Sequence, residues 1–122
     1  MDTRIKILNG PQILVGEPLA LATGYFDVLR AEHVRDLAAA HRRAPHARLL
    51  VVVLRGPEPL LPLAARAEMV AAIRMVDYVL TADAKDVDRL IKTLHPPLVL
   101  RLESDDLRRV ARLKEHVRHL QG

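Results

Sequence analysis

The segment Arg48–Leu54, with the sequence RLLVVVL, constrains the fold of this chain more than any other feature. After the arginine every residue is leucine or valine, so both faces of an extended strand here would be apolar. Such a strand needs a packed layer over each face, which is the situation in the middle of a parallel sheet covered by helices. The segment therefore predicts a buried central strand in an α/β fold.

Short apolar runs and amphipathic helical patterns alternate along the rest of the chain. The predicted strands are 19–23, 48–54, 76–81 and 98–102, and the predicted helices are 31–43, 63–75, 83–94 and one that starts at Ser104 and ends near Leu120. Residues 4–8 and 12–15 flank Asn9-Gly10-Pro11, which predicts a hairpin or an edge strand. This alternation predicts a Rossmann-like, three-layer α/β/α fold with a mainly parallel sheet of about five strands.

Length and composition exclude several classes of protein and site. Residues 1–122 are expected to form a single domain, and the absence of cysteine excludes disulfides, thiolate metal sites and a cysteine nucleophile. No apolar run reaches the ~20 residues that cross a bilayer, and residues 1–6 lack the apolar stretch of a signal peptide. We therefore expect a cytoplasmic protein without a membrane partner.

The charge and aromatic content indicate which partners to expect. The formal net charge of +4 favours an anionic partner such as a nucleotide or another phosphorylated small molecule. Only two tyrosines and one phenylalanine are present, which argues against a base-stacking platform for single-stranded nucleic acid. His116 and His119 are one helical turn apart, but no third ligand is placed to complete a metal site. No metal-binding residues are therefore predicted.

The segment after the first predicted strand lies where parallel sheets bind ligands. Residues 22–34 read ATGYFDVLRAEHV, which resembles the signature loop (T/N)GxFDxxHxGH of the cytidylyl- and adenylyltransferase family. Residues 62–73 (PLAARAEMVAAI), followed by VDYV at 76–79, are similar to a segment of ADP-heptose synthases and glycerol-3-phosphate cytidylyltransferases. Residues 90–100 (LIKTLHPPLVL) resemble the segment that ends this unit in the same enzymes. The resemblance covers roughly residues 19–102.

The resemblance implies nucleotidyl transfer by in-line displacement at an α-phosphate, a reaction in which the protein positions reactants and stabilises charge on the phosphate oxygens. It also implies a set of site residues, in which the nucleotide contacts are Thr23, Gly24, Phe26, Asp27 and Arg66, and the catalytic candidates are His33 and Arg30. The resemblance fixes no cofactor for this chain, but an active member would use Mg²⁺ with CTP or ATP. Relatives commonly form dimers, so a homodimer is a further expectation.

The sequence departs from the family pattern at the start of the first helix. Arg30 stands at the first imidazole position and Glu32 at the glycine, so only the second histidine, His33, is retained. A guanidinium can bind phosphate but cannot exchange a proton. The carboxylate of Glu32 would occupy the anion site at the helix N-terminus, where the dipole favours it by about 0.3–1 kcal/mol.

Two loops that normally complete the phosphate site are also altered. Residues 54–59 (LRGPEP) form a shortened connection without lysine, and residues 101–106 (RLESDD) replace a glycine–aspartate loop. The preferred interpretation is a catalytically degenerate member that binds a nucleotide or phosphate ester or acts as an interaction module. Two alternatives stay open: an active enzyme moving CMP or AMP onto a sugar or polyol phosphate, and a structural partner domain of a separate kinase or transferase.

Overall fold

The computed structural model describes residues 2–11, 14–57 and 59–103. Strands and helices alternate through this part of the chain in the order β1 (Leu19–Gly24), α1 (Ala31–Arg43), β2 (Arg48–Leu54), α2 (Leu63–Ala71), β3 (Tyr78–Ala82), α3 (Val87–Leu94) and β4 (Leu98–Arg101). Short 3₁₀ helices occupy Thr3–Lys6 and Ala84–Asp86. The helix predicted after Ser104, with His116 and His119, lies outside the described residues.

The four strands form one parallel sheet in the order β3-β2-β1-β4. Every residue of β2 after Arg48 is buried, as the leucine and valine run predicts. Alternate strand residues contribute to two separate clusters, because successive side chains of a strand point to opposite faces. One cluster joins β1 and β2 to α1 and α2 through Leu37 and Val70, and the other joins them to α3 through Val87 and Leu94. The three-layer α/β fold is confirmed.

The sheet has four strands within the described residues, where about five were predicted, and residues 4–8 do not add a strand to it. The carboxylate of Asp2 accepts a hydrogen bond of 3.0 Å from the amide of Arg4, and Thr3–Lys6 is a 3₁₀ helix. In the described part of this segment, Ile7 pairs with the sheet through a single parallel bridge to Val79. The predicted extended piece at 4–8 is therefore wrong, because a local side-chain contact stabilises a turn in place of strand pairing.

Other boundaries differ where the chain turns between elements. The second helix ends at Ala71 instead of residue 75, and a turn follows in which the Ile73 amide donates to the Val70 carbonyl at 3.0 Å. The third strand begins at Tyr78, just after Asp77 exchanges two hydrogen bonds of 2.8 and 2.9 Å with the backbone of Leu49. Within the described residues, no helix is long and apolar enough to span a bilayer.

The strand order determines where a ligand site is expected. The chain moves from β1 to β2 to β3 in one direction, and then crosses back to place β4 on the other side of β1. Ligands of open α/β sheets bind outside the carboxyl ends of the strands at such a reversal. The carboxyl ends of β1 and β4 therefore flank the expected crevice, which we call the switch crevice.

Candidate functional site

The turn that follows β1 has a constrained backbone. β1 ends at Gly24, which pairs with Val53, and Phe26 then adopts a φ of 48°. A bulky residue in this left-handed region is uncommon and persists only where the surroundings hold it. The ring of Phe26 is fully buried, and its centroid lies 5.3 Å from that of the His33 ring at an interplanar angle of 50°. Packing against α1 thus holds the turn in place.

Asp27 fastens this turn to the loop before α2. Its side chain is only 4% exposed, and its carboxylate accepts hydrogen bonds from the amides of Leu60 at 2.7 Å and Leu61 at 2.9 Å. Hydrogen bonds to an ionised carboxylate are among the strong ones in proteins. Asp27 therefore acts here as a bridge between two loops at the carboxyl edge of the sheet.

Arg66, predicted from the resemblance to contact a nucleotide, lies buried on α2 with 1% of its surface exposed. Its guanidinium donates to four backbone carbonyl oxygens, those of Tyr25 (3.0 Å), Leu54 (2.6 Å), Arg55 (2.8 Å) and Leu61 (3.1 Å). Burial lowers the pKa of Arg66, while the charge of Asp27 acts to raise it and the charge of Arg55 to lower it. Arg66 thus connects the segments that follow β1 and β2 with the start of α2.

The shortened loop after β2 packs directly on the turn after β1. Gly56 has a φ of +78°, and a Cβ at this position would lie 3.0 Å from Cδ1 of Tyr25. Both the positive φ and the close ring contact favour glycine at this position. The two loops therefore form one packed unit at the carboxyl edge.

The catalytic candidates Arg30 and His33 lie together at the start of α1. Arg30 is the exposed N-cap residue; its amide donates to Nδ1 of His33 at 2.9 Å, and the His33 amide donates to the Arg30 carbonyl at 3.1 Å. Because Nδ1 is an acceptor, the neutral imidazole carries its proton on Nε2. His33 is 1% exposed, whereas Glu32 is exposed in the same turn. The His33 side chain therefore caps the start of α1 through Nδ1 and carries a hydrogen-bond donor at Nε2.

Thr23 lies on the β4 side of the turn, in the switch crevice. It is fully buried, and its hydroxyl donates to a carboxylate oxygen of Glu103, which follows β4. The backbone fixes this pair, because the Leu102 amide donates to the Thr23 carbonyl at 2.8 Å. Glu103 is not among the site residues that the family resemblance implies, and the signal for it in the sequence is its position just after the last predicted strand.

The structure thus brings most of the predicted site residues to one edge of the sheet. Phe26, Asp27, Arg66 and His33 surround the turn after β1, whereas Thr23 contacts Glu103 across the crevice. In the part of the chain that the structure describes, no cluster of three or more histidines and carboxylates is placed to hold a metal ion.

Residues 21–121 match the sequence model of the family described as Cytidylyltransferase-like. The chain belongs to this cytidylyltransferase-like family. The match includes all of the predicted site residues, from Thr23 to Arg66, and it confirms the family that the three sequence segments predict.

Curated relatives of this cytidylyltransferase-like chain include a bifunctional enzyme and a synthase. It is 36% identical over 95 residues to the bifunctional protein HldE of Edwardsiella ictaluri, covering 70% of this chain and 20% of that protein. It is 32% identical over 84 residues to the FAD synthase of Methanohalophilus mahii, covering 66% of this chain and 59% of that protein. The chain therefore spans only part of the length of either relative.

A solved structure supports the architecture of this cytidylyltransferase-like chain. The crystal structure of the lipopolysaccharide core biosynthesis protein from Thermoplasma volcanium GSS1 superposes with a TM-score of 0.60 at 22% identity, covering 69% of this chain and 73% of that one. At this identity the likeness shows the fold alone, which is the predicted Rossmann-like arrangement.

Proposed function

We propose that this chain binds a nucleotide or phosphate ester beside the turn after β1 and does not transfer a nucleotidyl group. The observation that carries the proposal is the composition of the α1 N-terminus. Among residues 30–33 only His33 is an imidazole, and the other side chains that could face a ligand are the exposed guanidinium of Arg30 and the exposed carboxylate of Glu32. This arrangement retains a cation that can bind phosphate, but it has one imidazole where the family pattern has two.

The binding part of the proposal is supported by preorganisation. Asp27 and Arg66 hold the turn through hydrogen bonds to backbone groups of the neighbouring loops, so a ligand does not have to order this segment. The N-terminus of the 13-residue helix α1 adds a favourable field for an anion, and Arg30 supplies a fork of donors. A single phosphate is the group that suits these features.

The part of the proposal that excludes nucleotidyl transfer is supported by the donors that this reaction requires. Nucleotidyl transfer depends on donors fixed at the positions where phosphate charge develops. Arg30 is an exposed donor, and the exposed carboxylate of Glu32 places negative charge in the first turn of the helix that Arg30 caps. These residues do not fit a magnesium-bound triphosphate such as CTP or ATP well.

Calorimetric titration tests the binding part. We expect saturable binding of CMP or AMP, and we expect Arg30→Gln to weaken it about tenfold because one charge-assisted contact to the phosphate is lost. The matched control is Arg35→Gln, which neutralises another exposed arginine on α1 and should leave the affinity unchanged.

Each alternative function predicts a different result. Absence of binding by nucleotides and phosphate esters, together with co-purification of a kinase or transferase chain, would contradict the proposal and favour a structural partner domain. Equal losses in Arg30→Gln and Arg35→Gln would show that the phosphate is not bound at the α1 N-terminus.

A further inference from the structure

The contact between Thr23 and Glu103 places a carboxylate in the switch crevice. The Thr23 side chain is fully buried, and its hydroxyl donates to an oxygen of Glu103. Strand pairing holds both partners in register, since Thr23 pairs with Arg101 and the Leu102 amide donates to the Thr23 carbonyl. Glu103 itself is half-buried.

This contact determines which chemical groups the crevice accepts. A hydroxyl has one proton to donate, so a phosphate oxygen that binds Thr23 must displace the oxygen of Glu103. The displaced carboxylate would then lie beside another anion in a partly buried place, where like charges repel more strongly than in water. A ligand hydroxyl or amine instead donates to the remaining acceptor positions of the carboxylate and leaves the Thr23 contact intact.

We propose that Glu103 is a specificity-determining residue that makes the crevice select nucleosides and nucleoside monophosphates over nucleoside triphosphates. The inference rests on the proposed function, because it specifies the ligand class of the same site. Glu103 excludes polyphosphate groups through its contact with Thr23 and receives a hydroxyl or amino group of the ligand. The single phosphate of a monophosphate is then bound on the other side of the turn, where Arg30 is exposed.

The first test measures the contact without any ligand. Thr23→Val, Glu103→Gln and the double variant are compared with the original chain by urea denaturation. We expect the two single effects on the denaturation midpoint to be non-additive, because each substitution alters the same hydrogen bond. Additive effects would overturn the inference whatever the chain binds.

The second test measures selectivity. Dissociation constants for CMP, CTP and inorganic tripolyphosphate are compared between the original chain and Glu103→Gln. We expect Glu103→Gln to tighten CTP and tripolyphosphate binding about tenfold and to change CMP binding by less than about threefold. Glu68→Gln is the matched control, since it removes an exposed carboxylate on α2 whose charge acts on Arg4.

The outcomes separate the inference from the proposed function. If CMP binds the original chain but Glu103→Gln changes CMP and CTP affinity equally, or changes neither, the inference fails and the proposed function stands. If neither the original chain nor Glu103→Gln binds CMP or another phosphate ester, the proposed function fails, and the inference fails with it.

Discussion

The guanidinium of Arg66 donates a hydrogen bond of 2.6 Å to the carbonyl oxygen of Leu54, the last residue of the central strand β2. The same group reaches the carbonyls of Tyr25 and Arg55, so one side chain satisfies the backbone where the two central strands end. Buried carbonyl groups without a partner are costly, which explains why a helix residue in an alanine-rich segment is an arginine. The packing of the candidate site therefore depends on Arg66.

Arg66→Met should strongly destabilise the fold. The substitution keeps the apolar stem but leaves buried carbonyls without donors, at about 1–3 kcal/mol each, so we expect the free energy of unfolding to fall by about 3–5 kcal/mol. Urea denaturation followed by circular dichroism measures this change. Arg89→Met is the control, because the Arg89 side chain is 82% exposed and its loss should cost less than about 0.5 kcal/mol. Equal losses in both variants would contradict the role assigned to Arg66.

Asp27→Asn should weaken the hydrogen bonding that connects the loop before α2 to the turn after β1. An asparagine has a single side-chain oxygen, so it is not expected to satisfy the amides of both Leu60 and Leu61 as the carboxylate does. We expect faster hydrogen exchange at these two amides, with a loss of about 1.5–3 kcal/mol in local stability. NMR-detected exchange measures it. Asp88→Asn, which changes an 80% exposed carboxylate, should leave both rates unaltered.

Tyr78 makes stability depend on alkaline pH. Burial raises the pKa of Tyr78 above its ordinary value of 10.0, and its hydrogen bond to Glu17, at 3.1 Å, acts in the same direction. A group whose pKa is raised by folding contributes stability below its unfolded pKa and loses it as the pH rises through the folded value. Stability should therefore decline as the pH rises above 10.

Denaturation midpoints measured at a series of pH values from about 8 to about 11.5 test the Tyr78 prediction, because this range brackets the ordinary tyrosine pKa of about 10. Tyr78→Phe should show a shallower decline, since the phenylalanine has no proton to lose. An unchanged slope in Tyr78→Phe would refute the assignment.

Glu32→Gln should strengthen anion binding at the start of α1. The carboxylate lies exposed in the first turn, where the helix dipole favours it by about 0.3–1 kcal/mol, so its removal slightly destabilises the helix while removing a competitor for phosphate. We expect inorganic phosphate and nucleotide to bind about threefold to tenfold more tightly, and Glu32→Gly to show the same direction. Titration calorimetry measures this effect. An unchanged affinity in both variants would show that the Glu32 carboxylate does not compete with phosphate at the start of α1.

The central sheet could be predicted from the sequence because strands that are buried on both faces consist almost entirely of apolar residues. The runs that form β1 and β2 contain almost only apolar residues, and no other element accommodates such short apolar runs as well. The N-terminal segment could not be predicted, because the bond between Asp2 and the Arg4 amide is a single local interaction that a short alternating pattern does not reveal.

The sequence indicates where a candidate site is expected, but it does not indicate the contacts that its side chains make. The family pattern indicated the turn after β1, where the structure brings Phe26, Asp27 and His33 together, whereas Arg66 looks in sequence like an ordinary helix arginine. Which carbonyls need donors depends on how two loops meet in space, and the spacing along the chain does not contain this information. The same holds for Glu103, whose contact with Thr23 exists only because β4 returns to pair with β1.

Pyrophosphate release tests the absence of nucleotidyl transfer most directly. The purified chain is incubated with CTP or ATP, magnesium and a mixture of sugar and polyol phosphates, and His33→Ala is assayed in parallel. We expect no release above that of the buffer with either protein. Steady release by the original chain that disappears in His33→Ala would contradict the account and identify an active nucleotidyltransferase.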